Sequence, residues 1–301
     1  MRVSVFLPTL TPDLERITAL VMTLDYAPPP PDLAEFVSAY YLFQSDEGGL
    51  DDIERASVAQ FRLTLAGDGE MLIDGQAAQR VPTAAIIGPR LVPSRVVAKG
   101  DVIRVFGSGI LPSAWAALAR YDASQFANKV IPAELITGPG VHDYAAHMAT
   151  LPDLQAMADF TTKMARVHFA TREVRPRVFI RMVNRWLESD IDPKLDDLAA
   201  AARVSPRQVE RLTRHYFGAP PKYLARMYRA LRAANAIANS DQDWQDLISE
   251  AFYDQPHFIR EIKFFTGLTP GAIRSHHSRL TQLAFGRQQL AGEVSSLISD
   301  S

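Results

Sequence analysis

Apolar residues recur at period two in the first half of this chain and at three- and four-residue steps in the second. In the stretch from Val58 to Phe106, Phe61, Leu63 and Leu65 interleave with Arg62, Thr64 and Ala66, the pattern of a half-buried strand. Gly67-Asp68-Gly69 and Asp74-Gly75 are turn signals on either side of Met71-Leu72-Ile73. Lys99-Gly100-Asp101 reads as a tight turn between Ser94-Arg95-Val96-Val97 and Val102-Ile103-Arg104-Val105-Phe106. Closely spaced antiparallel strands of this kind close into a barrel or a double-sheet sandwich. Ahead of them, four consecutive prolines after Ala27 give a stiff extended lead-in, and Asp32 is a candidate helix N-cap before Phe36, Val37, Tyr40 and Leu42.

After Pro112 the texture is helical. Ala114 to Tyr121 is alanine-rich, and residues 152–170 place Leu154, Met157, Phe160, Thr161, Met164 and Val167 on one helix face. That stripe suits a core face and a dimer seam equally. Arg172 to Arg177 is a basic connector, with Pro176 at the start of the next helix, and no strand signal follows. A chain of 301 residues exceeds what one core usually carries. The expected organisation is a β-rich domain over 1–150, linker helices over 151–189, an all-helical domain over 190–275 and a polar tail over 276–301, whose order the sequence leaves open.

An apolar fraction of 47% and a charged fraction of 22% suit a globular chain and exclude a disordered or collagen-like one. Cysteine is absent, so no disulfide, thiolate metal site or cysteine nucleophile exists. No apolar run spans a bilayer and the first residues lack a signal pattern, which makes the cytoplasm the expected location and excludes a membrane partner. Charge is unevenly spread: the net value is −6 over residues 1–150 and +3 over 191–280. Within 201–235, eight basic residues face Glu210 alone, the footprint of a phosphate-facing surface.

That basic stretch contains a short helix with Leu195, Leu198, Ala199 and Ala202 on one face, a turn at Arg203-Val204, and a second helix opened by Ser205-Pro206. Val209 and Leu212 point inward, leaving Arg207, Gln208, Glu210, Arg211 and Arg214 outward, a helix-turn-helix with hydrogen-bonding forks on its second helix. The arrangement recurs about fifty residues later. Trp244, Leu247, Ile248 and Ala251 form the first helix, Phe252-Tyr253-Asp254 the turn, and Gln255 to Lys263 the second helix. Between the units, Pro221 to Asn239 is a continuous helix with Leu224, Met227, Tyr228, Leu231 and Ala234 inward. Two heads fixed by one rigid helix suit successive major grooves of DNA.

Residues 190–274 resemble the paired helix-turn-helix domain of the AraC/XylS family of bacterial transcription regulators. The most specific stretch runs from Ala251 to Lys263, with Gly267-Leu268-Thr269-Pro270 behind it. It is similar to the family's Gly-Phe-x-Asp-Gln-Ser-x-Phe-x-Arg-x-Phe-Lys followed by Gly-x-Thr-Pro. The first unit resembles the family through Leu198, Ala199, Ser205, Pro206, Val209, Arg211, Gly218 and Pro221. The N-terminal half more weakly resembles the β-barrel sensor of one branch, through Tyr40-Tyr41, the strand from Val81-Pro82 to Ile87-Gly88, and Gly109-Ile110-Leu111-Pro112. The fold so implied is α+β, an N-terminal antiparallel, cupin-like β-barrel before a C-terminal all-α double helix-turn-helix domain. Departures are Ala251 for a turn glycine, Pro256 for serine, Ile262 for phenylalanine, Thr213 for a core phenylalanine and Arg203 where glycine is common.

The resemblance implies base contacts from Arg207, Gln208, Glu210 and Arg211 in the first unit and from Gln255, His257, Ile259 and Arg260 in the second. Arg214, Lys222, Arg226, Lys263 and Arg274 are read as phosphate contacts, which position without specifying sequence. The implied partners are double-stranded promoter DNA, a small-molecule effector, a second copy of the chain, and RNA polymerase in the case of an activator.

A β-barrel of cupin type with a metal needs clustered histidines and a carboxylate on adjacent strands. The first histidine is His142, beyond every proposed strand, so neither a metal nor a cofactor is expected, and no catalytic residue is assigned. Candidate ligand contacts on the strands are Tyr40, Tyr41, Arg62, Arg95 and Arg104. The competing readings are a metal-free binding or enzymatic barrel beside a degenerate DNA-binding domain, and a structural adaptor whose basic patch meets a protein.

Overall fold

Strands form where the period is two. In the computed structural model, which describes residues 2–6, 21–118, 122–169, 176–239 and 254–299, these are β1 (Arg2–Phe6), β2 (Val21–Ala27), β3 (Val37–Ser45), β4 (Leu50–Glu54), β5 (Ala59–Ile73), β6 (Gln79–Val81), β7 (Ala84–Ile87), β8 (Ser94–Ile110) and β9 (Val130–Pro132). They pair antiparallel in the order β1-β2-β3-β8-β5-β7-β9, with β4 beside β8 and β6 beside β5. Among the described residues β1 does not pair with β9, so the sheet is open, and the expected closed barrel is corrected.

The long β5–β8 pair explains how an open sheet still encloses space. Gly67-Asp68-Gly69 and Lys99-Gly100-Asp101, both expected to reverse the chain, lie inside these two strands. Register shifts occur at Thr64/Ala66 and Ala66/Asp68, opposite residues 99–104. Gly67 and Gly100 take φ of 83° and 133° and face each other closely; a Cβ on Gly100 would lie 3.1 Å from the Gly67 Cα. Two opposed glycine bulges bend a ribbon instead of ending it. Asp74-Gly75 does turn, with φ of 55° and 66° and the Gln76 N–H donating to the Ile73 carbonyl, inside the loop between β5 and β6. Residues 31–36 make turns and lead directly into β3, so Asp32 caps no helix; its carboxylate pairs with Arg166 instead.

Alternation sorts the two faces of the bent sheet. Tyr40 and Leu42 of β3, Leu63 of β5 and Phe106 of β8 join one core with Phe36, Trp115, Met148 and Met157. Helices α1 (Pro112–Leu118), α2 (Ala123–Phe126), α3 (Glu134–Thr137), α4 (Val141–Thr150) and α5 (Leu154–Phe169) follow in the chain, and α4 and α5 cover this face. Tyr26, Tyr41, Phe43, Ile103 and Val105 point to the other face, which forms a separate cluster.

The helical domain comprises α6 (Arg177–Ser189), α7 (Leu195–Ala202), α8 (Pro206–Phe217), α9 (Pro221–Asn239), α10 (Gln255–Thr266) and α11 (Pro270–Arg274). Its core holds Trp186, Leu198, Val209, Leu224, Tyr228, Leu231, Phe258 and Phe265. Leu224, Met227, Tyr228, Leu231 and Ala234 of α9 are all buried, so this helix is the spine of the domain. The expected polar tail is folded: α12 (Arg279–Phe285), a 3₁₀ turn (Gly286–Leu290) and α13 (Ser296–Ser299) bury Leu283, Phe285, Leu290 and Leu297. Leu283 and Leu290 pack on the second face of the N-terminal sheet, filling the side that the open sheet leaves uncovered. No helix among the described residues is long and apolar enough to cross a membrane.

Candidate nucleic-acid interface and internal cavity

Two helices in the C-terminal domain are built alike. Ser205 caps α8 by accepting from the Gln208 N–H, and Asp254 caps α10 by accepting from the His257 N–H at 2.7 Å. Each helix carries proline in its first turn and ends on a glycine at positive φ, Gly218 at 88° and Gly267 at 79°. One residue of each is thus fixed at each end, and the exposed face between them is defined by the buried one. Val209, Thr213 and Phe217 hold α8 down, leaving Arg207, Gln208, Arg211 and Arg214 exposed and Glu210 and Leu212 half-buried. Phe258, Ile262 and Phe265 hold α10, leaving Gln255, Arg260 and Lys263 exposed.

His257 and Ile259 are half-buried, and Ile259 packs against the helical core. Lys222 is exposed and Arg274 half-buried. Arg226 is engaged: its Nε donates to Glu261 at 2.6 Å, and Arg229 donates to the other oxygen of the same carboxylate at 3.1 Å. Glu261 is buried and ties α10 to α9, a role that the sequence reading missed. A glutamate among the inward positions of α10 was the available signal. The first helix of the second unit, with Trp244, Leu247, Ile248, Ala251 and the turn residues Phe252 and Tyr253, lies outside the described residues, as does Arg172.

Both helices, α8 and α10, end against the N-terminal domain. A Cβ on Gly218 would lie 3.1 Å from Pro89, and one on Gly267 would lie 2.8 Å from Cγ2 of Ile53. The Ala56 N–H donates to the Phe265 carbonyl at 2.9 Å, and the Tyr223 hydroxyl donates to the Leu91 carbonyl at 2.8 Å. Residues 53–57 and 89–93, joined by a bridge between Ser57 and Arg90, therefore touch both heads.

The other side of those segments lines a cavity of about 120 Å³ in the bend of the sheet. Its apolar wall includes Leu24, Phe43, Met71, Val96 and Ile103, and its polar wall Tyr41, Glu54, Gln60, Arg62 and Arg90. The Arg62 Nε donates to the Tyr41 hydroxyl at 2.9 Å and to Gln60, and Glu54 pairs with Arg62 and, at 2.7 Å, with Arg90. Burial pushes the Glu54 carboxyl up, but the two guanidiniums outweigh it and hold the group below its ordinary range. Arg55 is pushed down to about 9 by burial and by the nearby Arg287 charge. Gly107 makes room for this arrangement, since a Cβ there would lie 2.2 Å from the Tyr41 ring.

Of the five proposed ligand contacts, the structure brings Tyr41 and Arg62 to the cavity and not the other three. Tyr40 is on the opposite face, hydrogen-bonded to Thr162 at 3.0 Å. Arg95 pairs with Asp51 at the surface, and Arg104 donates to the Leu151 and Pro152 carbonyls. Strand alternation, which sends neighbours to opposite sides, places these three away from the cavity. Glu54 and Arg90 were missed. Arg90 interrupts the apolar run from Ala84 to Val92, and that lone charge was the signal for it. Among the described residues no group of three or more His, Asp or Glu is placed to hold a metal.

Residues 198–276 match the family described as helix-turn-helix domain. No curated protein matches the chain by sequence. Among solved structures, ToxT from Vibrio cholerae is 9% identical, with 81% of this chain and 98% of that chain covered and a TM-score of 0.46. The AraC-like transcriptional activator CuxR is 12% identical over 65% of this chain and 74% of that one, with a TM-score of 0.28. Oxalate decarboxylase from Bacillus subtilis is 15% identical over 36% of this chain and 32% of that one, at 0.21.

Proposed function

Because residues 198–276 are a helix-turn-helix domain of the AraC type, we propose that the chain regulates transcription by reading promoter DNA with two heads. The observation that carries this reading is the matched pair α8 and α10, capped alike, ended alike and exposed along one face. Arg207 and Arg211 read bases from the first head, with Gln208 and Glu210 beside them, and Gln255 and Arg260 from the second, with His257 and Ile259 beside them. Arg and Gln forks match guanine and adenine edges. Arg214, Lys222, Lys263 and Arg274 hold phosphates, and Arg226 does so after exchanging Glu261 for the backbone. The 19-residue α9 is about 28 Å long, close to the spacing of successive major grooves.

The N-terminal domain senses a small molecule in the cavity, and residues 53–57 and 89–93 convey occupancy to the heads they touch. A second copy docks on α5, where Met164 and Val167 are exposed beside Phe169; Val167→Asp then lowers the mass measured by light scattering to that of a monomer, and an unchanged mass removes this surface. For the DNA reading, Arg211→Ala weakens binding to the target site by about 1–3 kcal/mol and narrows the gap to scrambled DNA. Lys222→Ala weakens both alike and lowers the salt dependence. Unaltered discrimination in Arg211→Ala overturns its assignment.

A further inference from the structure

Four arginines, Arg55, Arg62, Arg90 and Arg287, line the cavity against two carboxylates, Glu54 and Asp68. Arg62 and Arg90 share the carboxylate of Glu54. Arg62 spends its remaining donors on Tyr41 and Gln60, and Arg90 reaches Ser94 at 3.4 Å. The Arg90 side chain is 1% exposed, yet its Nε donates to no acceptor. A buried guanidinium donor left without an acceptor is costly, and an anion is the partner that relieves it most. Asp68, the other carboxylate of the cavity, stands at the exposed rim and pairs outward with Arg80.

Most of the remaining wall is apolar, with Arg55, Ser57, Thr64 and Arg287 also lining it, and the volume of about 120 Å³ is modest. An apolar cavity of roughly 150 Å³ holds benzene. The cavity thus suits one ring or a short chain and not an extended one.

The chain itself closes the mouth. Leu280, Ala284 and Arg287, from α12 and the 3₁₀ turn, complete the lining. This segment is pinned to β4 and the loop before it. Arg279 pairs with Glu47, the Leu280 N–H donates to Asp52 at 2.8 Å, and the Thr281 and Ser278 hydroxyls donate to the Ile53 carbonyl at 2.8 and 3.1 Å. Ile53 is followed by Glu54 in the cavity wall, and by Ala56 on the second reading helix.

We propose that the cavity binds a compact organic monoanion, its charged group against Arg90 and Arg62 and its apolar body among Leu24, Phe43, Met71 and Ile103, and that residues 278–290 are its lid. The proposal rests on the sensing role given to this domain and adds the ligand's class and its gate. An anion seated there competes with Glu54 for both guanidiniums. It therefore acts on the strand that holds the lid on one side and the second head on the other.

Calorimetry on the full chain tests this with butyrate, benzoate and cinnamate, each beside its neutral amide. At least one acid binds, and its amide binds about ten- to a hundredfold more weakly. Arg90→Met removes the acid's advantage; should that variant fail to fold, Arg62→Gln reads the same loss. Arg279→Glu, which unpins the lid from Glu47, speeds both association and dissociation of the acid severalfold in stopped flow while leaving its affinity nearly constant. Equal binding of acid and amide overturns the anion class and leaves sensing standing. Binding by none of the six compounds, with specific DNA retention intact, overturns the proposal and the sensing role but not the DNA reading. Unaltered exchange rates in Arg279→Glu overturn the lid.

Discussion

At Arg203 the backbone between α7 and α8 sits at φ 54°, the left-handed region that glycine occupies without cost. A side chain there costs about 1–2 kcal/mol. Arg203→Gly is therefore expected to stabilise the chain by about 1 kcal/mol in chemical denaturation, and no gain would mean that the arginine makes a compensating contact. Thr213 is fully buried on α8 where its hydroxyl finds no partner. Thr213→Val keeps the shape and removes the orphaned group, so stability rises by about 1 kcal/mol; a loss on denaturation would place an acceptor at the hydroxyl. Glu54 titrates below its ordinary value of 4.5 in the folded chain, while the unfolded chain takes up its proton at that value. The stability it contributes is present above pH 4.5 and fades as the pH falls through the lowered folded value. Glu54→Gln accordingly flattens the loss of stability on acidification below pH 4.5, and an unaltered profile contradicts the pairing. The caps were legible at this scale because they are local: Ser205 and Pro206 lie within one turn of the helix they start. The Glu54–Arg90 pair was not, because nothing in a sequence joins residues on separate strands, and Tyr40 and Tyr41 cannot be sorted to faces without the register.

At the scale of elements, helices were read more faithfully than strands. The apolar rows of α9 and α8 lie within single segments, so their inward positions follow from spacing, with Thr213 taking the core place expected of Leu212. The glycines in β5 and β8 signal departure from a flat strand and cannot say whether the chain reverses or bends. The outcome depends on whether a second bulge lies opposite, as Gly67 and Gly100 do. Gly218 and Gly267 end α8 and α10 at positive φ against Pro89 and Ile53. Alanine at either costs about 1 kcal/mol from the backbone alone. At Gly267 the Cβ would also press within 2.8 Å of Ile53, so Gly267→Ala is expected to cost more than Gly218→Ala in denaturation. Equal costs would show that the domains yield at that contact.

For the whole molecule, an acidic β-rich half and a basic helical half were visible in charge and periodicity. The return of the C-terminal segment onto the first sheet was not, because its buried residues are scattered along 278–299, Leu283, Phe285, Leu290 and Leu297 among polar ones. Contacts so distant along the chain leave no local trace. The Ile53–Ser57 segment lies between the cavity, the C-terminal segment and α10, while Pro89 meets the end of α8.

The central claim is that these heads read DNA together. Its most direct test is to retain sheared genomic DNA on the purified full chain at about 150 mM salt and to sequence what stays bound. Discrete sites sharing two short elements about ten base pairs apart, one for each head, are the expected outcome. Uniform retention that disappears with added salt would contradict it, since phosphate attraction alone would then explain the binding.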